Sequence, residues 1–315
     1  MLAARVGSIA CLMALGAWLG FLLGFAGRWA WLLDLLANFR LQYAMVLALS
    51  ALTLLLVRRP RMAAFAFGGA LLTTTSIIGY TGWHSQPAEA SAGEFRFVTF
   101  NMFYANEDFA RVGEYLERID ADVVALQELN ATQARKLAMF LPSYPHVYLN
   151  AAHRYGAVVF SRWPIEKGET LELIPGGARV ARVVIDWRSK PITVLGAHLH
   201  WPLSPASARL RNAELGELAK IATSIRGPLL IGGDFNITPW SPHFRSAVER
   251  SGLQDCARGR GLIATWPTFL PSFGIRIDHC LASSDWRVAG VRTGPMLGSD
   301  HYPTVNDLEL QGHTS

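Results

Sequence analysis

Three apolar runs confined to the start of the chain, residues 6–26, 41–57 and 62–80, limit what it can fold into more than any other feature. A helix that crosses a bilayer needs about 20 apolar residues, within a range near 17–25. The first and third runs meet that length well, and the second sits at its short end. Trp29, Trp31, Tyr43, Tyr80 and Trp83 stand near the run ends, where interfacial aromatic anchors belong. The alternative for the first run is a signal peptide, since Arg5 precedes it. The run is too long for one, lacks a clear small-x-small cleavage site, and leads into two further apolar runs. The expectation is a small bundle of three transmembrane helices over residues 1–86. A short Pro/Ala-rich linker follows at 87–93, and then a domain over 94–315.

Composition divides at the same place. The whole chain is 51% hydrophobic with a mean hydropathy of +0.22, and the excess lies before Trp83. Of the 29 basic and 24 acidic residues, six and one lie before residue 87, which leaves 23 of each beyond it. The downstream domain is therefore neutral overall. It lacks the cationic surplus with which non-specific duplex binders meet phosphates, although a local basic patch stays open. Its length is ample for a full core.

The basic residues of the first part set an orientation. Arg58, Arg59 and Arg61 crowd one short loop without an acid, which predicts a cytoplasmic loop. Arg5 then lies on the same side, and the third span delivers residues 87–315 to the extracytoplasmic side. Arg28 and Arg40 in the opposite loop pull the other way, with Asp34 between them. In a Gram-negative bacterium the chain would be an inner-membrane protein with a periplasmic domain.

Beyond the linker, short strand patterns alternate with helical ones. Strands are expected at 95–100, 122–126, 156–160, 179–187, 192–197, 228–231, 275–281 and 286–292. Helices are expected at 107–119, 131–140, 206–225 and 242–251, the last closed by Gly252. Paired strands with interspersed helices predict a layered α/β sandwich rather than a simple βαβ array. Cys256 and Cys280 are the domain's two cysteines. An oxidising compartment would permit a disulfide, but their spacing does not establish one. No zinc-ligand spacing occurs.

Polar residues cluster where the predicted strands end. Gly232-Gly233-Asp234-Phe235-Asn236 follows an apolar strand, and Gly298-Ser299-Asp300-His301-Tyr302-Pro303 lies near the C-terminus. Asn101, Glu128, His198 and Asp278 hold comparable positions. Asp with Asn and Asp with His are the groups that hold a hard divalent ion and activate water against a phosphate. Strand ends can converge such side chains on one cleft.

The ordered set of these segments resembles the endonuclease/exonuclease/phosphatase superfamily. The matching pieces are Thr99-Phe100-Asn101-Met102, Leu126-Gln127-Glu128, Phe160-Ser161-Arg162-Trp163-Pro164, Ala197-His198-Leu199, Gly233-Asp234-Phe235-Asn236, Ile277-Asp278-His279 and Ser299-Asp300-His301-Tyr302-Pro303. Each piece alone is weak; their shared order covers nearly all of residues 94–308. The resemblance implies a four-layered α/β/β/α sandwich and a Mg²⁺ cofactor, with Mn²⁺ as a substitute. It assigns Glu128 as the main metal ligand, with Asn101 and Asp300 nearby. His301, held by Asp278, would serve as general base or phosphate contact. Asp234 would orient or deprotonate the attacking water, and Asn236 and His198 would hydrogen-bond non-bridging phosphate oxygens.

Blander roles exist for each residue taken singly. Asp234 fits a helix N-cap, Asn101 a turn, Glu128 a solvated helix start and His198 a structural imidazole. His200 and His279 are read as structural, and Arg162 as a brace for the turn at Pro164. His153, Arg154 and Tyr155 are candidates for the cleft wall. Trp201, Trp240, Trp266, Phe269 and Phe273 flank the motifs and would stack on bases, touch lipid or simply pack. The function expected is a membrane-tethered, Mg²⁺-dependent phosphodiester hydrolase, with nucleic acid as one substrate class. A phospholipid or phosphomonoester hydrolase is the alternative. An inactive membrane-anchored binding module is the alternative of another class, and the intact polar set speaks against it.

Overall fold

The computed structural model describes residues 1–82, 95–150 and 156–311. The expected linker at 87–93, Trp83, and the cleft candidates His153, Arg154 and Tyr155 lie outside the described residues.

Four helices open the chain: α1 (Leu2–Gly24), α2 (Trp31–Ala37), α3 (Arg40–Leu56) and α4 (Pro60–Ile77). α1 and the stretch Pro60–Tyr80 are each long and apolar enough to cross a membrane. The middle run differs from the first and third. α3 has 17 residues and reaches that length only together with α2, from which it is bent by 64°. The helices pack through a seam of small residues. Ala10, Ala14 and Ala17 meet Leu47, Ala51 and Leu54 of α3 and Ala63, Ala66 and Ala70 of α4. The larger side chains point outward: Leu12, Leu15, Leu19, Leu49, Leu52, Leu55, Phe65 and Phe67 are exposed. A seam made mostly of alanines, with Leu47 and Leu54 among them and most other large apolar side chains outside, inverts the pattern of a water-soluble bundle and is the kind expected of helix packing in lipid.

The remaining elements form two six-stranded sheets. The chain runs β1 (Phe95–Asn101), α5 (Phe109–Ile119), β2 (Val123–Gln127), α6 (Ala131–Ala138), β3 (His146–Leu149), β4 (Ala157–Ser161), β5 (Ile165–Glu172) and β6 (Arg179–Trp187). It continues with β7 (Lys190–His198), α7 (Pro205–Ser224), β8 (Leu229–Asp234), α8 (Pro242–Ser251), β9 (Gln254–Asp255), β10 (Asp278–Ala282), β11 (Trp286–Thr293) and β12 (Thr304–Leu310). The first sheet has the order β11-β12-β1-β2-β4-β3 and the second β5-β6-β7-β8-β10-β9. Each is mixed: β1 pairs parallel with β2 and β7 with β8, while the other pairings are antiparallel.

The core between the sheets includes Phe95, Phe97, Val123 and Val159 from one and Val183, Ile185, Val194 and Leu230 from the other. The outer face of the first sheet packs on α5 and α6 through Val98, Phe100, Val112 and Leu137. The outer face of the second packs on α7 and α8 through Leu195, Ile231, Leu215 and Phe244. The layers are therefore helix, sheet, sheet, helix. Local signals start the outer helices. Ser204 caps α7 in a reciprocal box with Ser207, and Asn130 does the same for α6 with Gln133. Ser241 caps α8, Pro242 opens it, and Gly252 closes it in the left-handed conformation.

Two glycines let the sheets close. A Cβ on Gly232 would meet the Phe97 ring of the opposite sheet at 2.4 Å. Gly233 has φ +151°, and a Cβ there would come within 1.8 Å of the Ala197 carbonyl oxygen. Cys256 and Cys280 are buried free thiols with Sγ atoms 2.8 Å apart.

Candidate active site

The central strands of both sheets end at the same place and deliver one polar cluster. β1 ends in Asn101, β7 in His198 and β8 in Asp234. Glu128 follows β2 directly, and Asp278 begins the antiparallel β10 opposite Asp234. All of these are 5% exposed or less, as is His301. Glu128 and Asn236 take positive φ, 61° and 52°, which turns the chain sharply at the sheet ends.

Asn101 lies between two acids. Its Nδ2 donates to Glu128 Oε1 at 3.0 Å and to Asp234 Oδ2 at 3.1 Å, while its Oδ1 accepts from the Phe103 N–H. Glu128 Oε2 accepts from the Tyr104 N–H at 3.0 Å. Asp234 Oδ1 accepts from the Asn236 N–H at 2.8 Å. These bonds answer the blander readings: α8 is capped by Ser241 rather than Asp234, and Glu128 is buried.

Beside the acids stands a histidine–carboxylate pair. His301 Nδ1 lies 2.9 Å from Asp278 Oδ2, and its Nε2 faces Asp234 Oδ2 at 3.7 Å. Burial works against a charged His301, but Asp278 and Asp234 outweigh it and push its pKa up to about 10. Burial alone would raise Asp278, yet the His301 charge and its hydrogen bond hold that carboxyl below its usual range. Asp234 goes the other way: burial raises it to about 7 against the pull of His301. Burial, aided by the neighbouring His301 charge, lowers His198 to about 3. His198 is thus a neutral ring, its Nε2 3.7 Å from Asp234 Oδ2 and 3.8 Å from Glu128 Oε1.

Two expected residues sit at the margin. The Asn236 amide donates to the Leu199 carbonyl at 2.9 Å, which ties the loop after β8 to the end of β7. Asp300 Oδ2 accepts from the Trp266 indole at 3.0 Å, and its charge reaches the cluster through His301. Sequence reasoning passed over the residues that hold the cluster in place. The Ser299 hydroxyl donates to the Asn101 carbonyl and accepts from the His301 N–H. Thr265 Oγ1 accepts from the N–H groups of Ile277 and Asp278. Arg211 Nη1 donates to the Asn236 carbonyl at 2.8 Å. Ser299 stands within a quoted motif but was given no role there; Thr265 and Arg211 carry no local signal.

The other readings resolve individually. His200 Nδ1 pairs with buried Glu214 at 2.5 Å, and His279 Nε2 bonds the Ile237 carbonyl at 2.7 Å, both structural. Arg162 pairs with Asp120 and lies over the Tyr144 ring, so it ties β4 to the end of α5 rather than bracing the turn at Pro164. Trp201 and Leu203 are exposed on the wall of a cavity of about 240 Å³ that reaches His198. Trp240 packs edge-on against Tyr80, whereas Phe269 and Phe273 are exposed.

The donor set fits a hard divalent cation. Ligand atoms of Asp234, Asp278 and His301 lie within 4.8 Å of one another, and Glu128 and Asp234 share a single amide donor. Carboxylate oxygens grouped this closely are able to hold a cation, and they are what Mg²⁺ and Mn²⁺ accept.

Comparison with known proteins agrees with this geometry. Residues 98–301 match the model of the Endonuclease/Exonuclease/phosphatase family. An inositol phosphosphingolipids phospholipase C of Schizosaccharomyces pombe is 29% identical, over 48% of this chain and 43% of the relative, so the chain spans less than half of that protein's length. The fold resembles an endonuclease/exonuclease/phosphatase of Beutenbergia cavernae, with a TM-score of 0.58 and 22% identity over 69% of this chain and 72% of that one. It also resembles a mannosyl-6-phosphatase of Bacteroides thetaiotaomicron, with a TM-score of 0.55 and 16% identity over 68% of this chain and 99% of that one.

Proposed function

The chain belongs to the endonuclease/exonuclease/phosphatase family, and from that premise we propose that it is a membrane-tethered phosphodiester hydrolase that depends on Mg²⁺, with Mn²⁺ as a substitute. The observation that carries this reading is the Asn101 amide bridging two buried acids beside the Asp278–His301 pair. Glu128 would be the main ligand of the ion, with Asn101 and Asp300 nearby. Once bound, the ion supplies charge to neutralise the phosphate and its leaving oxygen.

The chain's own groups divide the remaining work. Asp234, raised towards neutrality, is placed to take a proton from an attacking water. His301 is held protonated by Asp278, which favours contact with an anionic phosphoryl oxygen over the role of general base. His198 offers a neutral ring and Asn236 its remaining amide N–H to the same oxygens. The shared burial of these residues keeps the charges in a low-dielectric setting where they act most strongly.

The tether reading rests on the outward leucines, the helix lengths and the clustered arginines. Arg59 Nη2 bonds the Ala4 carbonyl, so the basic loop and the N-terminus share one end of the bundle. The catalytic domain meets the other end, through Asp34, Asn38 and Gln42. With the basic end cytoplasmic, the domain faces outward; in a Gram-negative cell this is an inner-membrane protein with a periplasmic active site.

Nucleic acid is one substrate class for this centre. A phospholipid headgroup ester is the second, favoured by the apolar Trp201–Leu203 wall beside His198. Phosphomonoesters come third, and a non-catalytic binding role last. The test uses the full chain in mild detergent, with and without EDTA, on supercoiled plasmid, phospholipid and a phosphomonoester. Metal-dependent turnover of plasmid, lost in Asp234→Asn, supports a nuclease. Turnover of lipid alone moves the assignment to a phospholipase. No turnover of any ester by folded protein favours the binding module.

A further inference from the structure

The seam between the helices and the catalytic domain encloses a cavity of about 750 Å³ that contains none of the catalytic cluster. Arg40, the first residue of α3, lines it and is only 4% exposed. Its guanidinium lies over the rings of Phe25, at 4.6 Å, and Trp240, at 5.8 Å. Its Nη2 makes no hydrogen bond, and among the described residues no carboxylate pairs with it. A buried guanidinium without a counter-charge is costly.

The rest of the wall is also basic. Arg245 and Arg258 are exposed at its rim and Arg260 is half-buried. Two acids share the wall. Both oxygens of Asp255 are committed to Arg276, at 2.8 and 2.5 Å, which leaves Glu249 against four arginines. Tyr80, which ends the second long apolar stretch, is a further wall residue. The cavity therefore lies at the level where apolar helices give way to polar domain.

We propose that this cavity binds the phosphate of an acidic phospholipid headgroup, at a site separate from the catalytic centre. Guanidinium groups recognise phosphate through paired, charge-assisted N–H donors, and clustered arginines at the level of a membrane surface attract acidic headgroups. Arg40 supplies the buried charge that awaits an anion, and Arg245 and Arg258 gather it from the rim. The site rests on the reading of the apolar helices as membrane spans.

The test is native mass spectrometry of the full chain in neutral detergent, titrated with phosphatidylglycerol, phosphatidylcholine or inorganic phosphate. One phosphatidylglycerol should bind at least ten-fold more tightly than phosphatidylcholine. Arg40→Gln should weaken it at least ten-fold, and so should the Arg245→Gln/Arg258→Gln pair, whose exposed positions spare the fold. Equal binding of the two lipids, or an unchanged adduct in the rim variant, overturns the proposal. Inorganic phosphate binding as tightly as phosphatidylglycerol overturns the lipid assignment in favour of a soluble phosphate. Recovery of the chain in the aqueous fraction after a detergent-free membrane wash overturns the membrane premise itself.

Discussion

Asp34 of α2 and Arg211 of α7 form a buried ion pair, with Oδ2 and Nη2 2.5 Å apart and both side chains 3% exposed or less. The pair joins the apolar helices to the catalytic domain. Arg211 also donates to the Asn236 carbonyl, and Asp34 Oδ1 accepts from the Ser241 hydroxyl. Asn38 adds an acceptor for Thr238 Oγ1 at 2.8 Å. The loop between Asp234 and α8 is thus held from the side of the apolar helices.

Removing one partner of this pair leaves a buried charge alone, which costs about 3–5 kcal/mol. Asp34→Ala in the full chain should lower the denaturation midpoint accordingly and reduce kcat more than it raises KM. Replacing both residues, Asp34→Leu with Arg211→Met, should recover most of the stability. A single variant as stable as the wild type in detergent would show that the pair carries little of the docking.

Asp234→Asn and Glu128→Gln test the two acids separately. Each should lower kcat/KM by roughly 10²–10⁴-fold, the range for a lost catalytic base or charge-stabilising group. Glu128→Gln should also weaken Mg²⁺ binding by isothermal titration calorimetry. Unchanged Mg²⁺ affinity in that variant would remove Glu128 from the ligand set.

His279 provides the pH prediction. It is enclosed by Phe235 and Phe244, and burial with the nearby Arg276 charge lowers its pKa to about 3. Its folded pKa lies below the unfolded value near 6.5, so the unfolded chain binds the extra proton between the two. The neutral ring's stabilisation is full above pH 6.5 and is lost as the pH falls towards 3. The contribution is at most about 1.4 kcal/mol per pH unit. Denaturant titrations at pH 7.5 and 5 should show this loss, and His279→Gln should reduce it, leaving the share of His198, whose pKa is lowered as far. An equal loss in the variant would place the acid sensitivity elsewhere.

Gly233→Ala should be more disruptive than its size suggests. The added methyl would meet a backbone oxygen of the neighbouring parallel strand, and the backbone conformation is one that side chains disfavour. A loss of roughly 3 kcal/mol or more is expected, at or above the top of the usual range for single substitutions. A thermal midpoint within 2 °C of the wild type, on the order of 0.5–1 kcal/mol, would contradict it.

The catalytic layers were legible because their strands are short apolar runs that end in polar residues. β1, β2, β4 and β8 all follow this form, and so do the residues they deliver. β5 was not legible: as an edge strand it is largely exposed and carries Glu166, Lys167 and Glu169 without alternation. β12 was missed because its polar Asn306 and Asp307 are buried. Asp307 is paired there with Arg292 on the neighbouring strand and with Arg96, which is remote in sequence. Asp34 and Arg40 looked like ordinary loop charges. Their meaning depends on Arg211, 177 residues beyond Asp34, and on Trp240, further still beyond Arg40, which no local pattern can disclose.

The clasp of Asp34, Asn38 and Gln42 on the catalytic domain has a consequence for how substrates are met. An enzyme on a slack leash sweeps a hemisphere whose radius is set by the leash, and it samples every tilt. A domain gripped at three points on the helical bundle keeps one height and one attitude. Seated in a bilayer, it would search by lateral diffusion across a plane, with its mouth always at the same elevation. Selection would then act on where a phosphate ester stands above the membrane as well as on its chemistry.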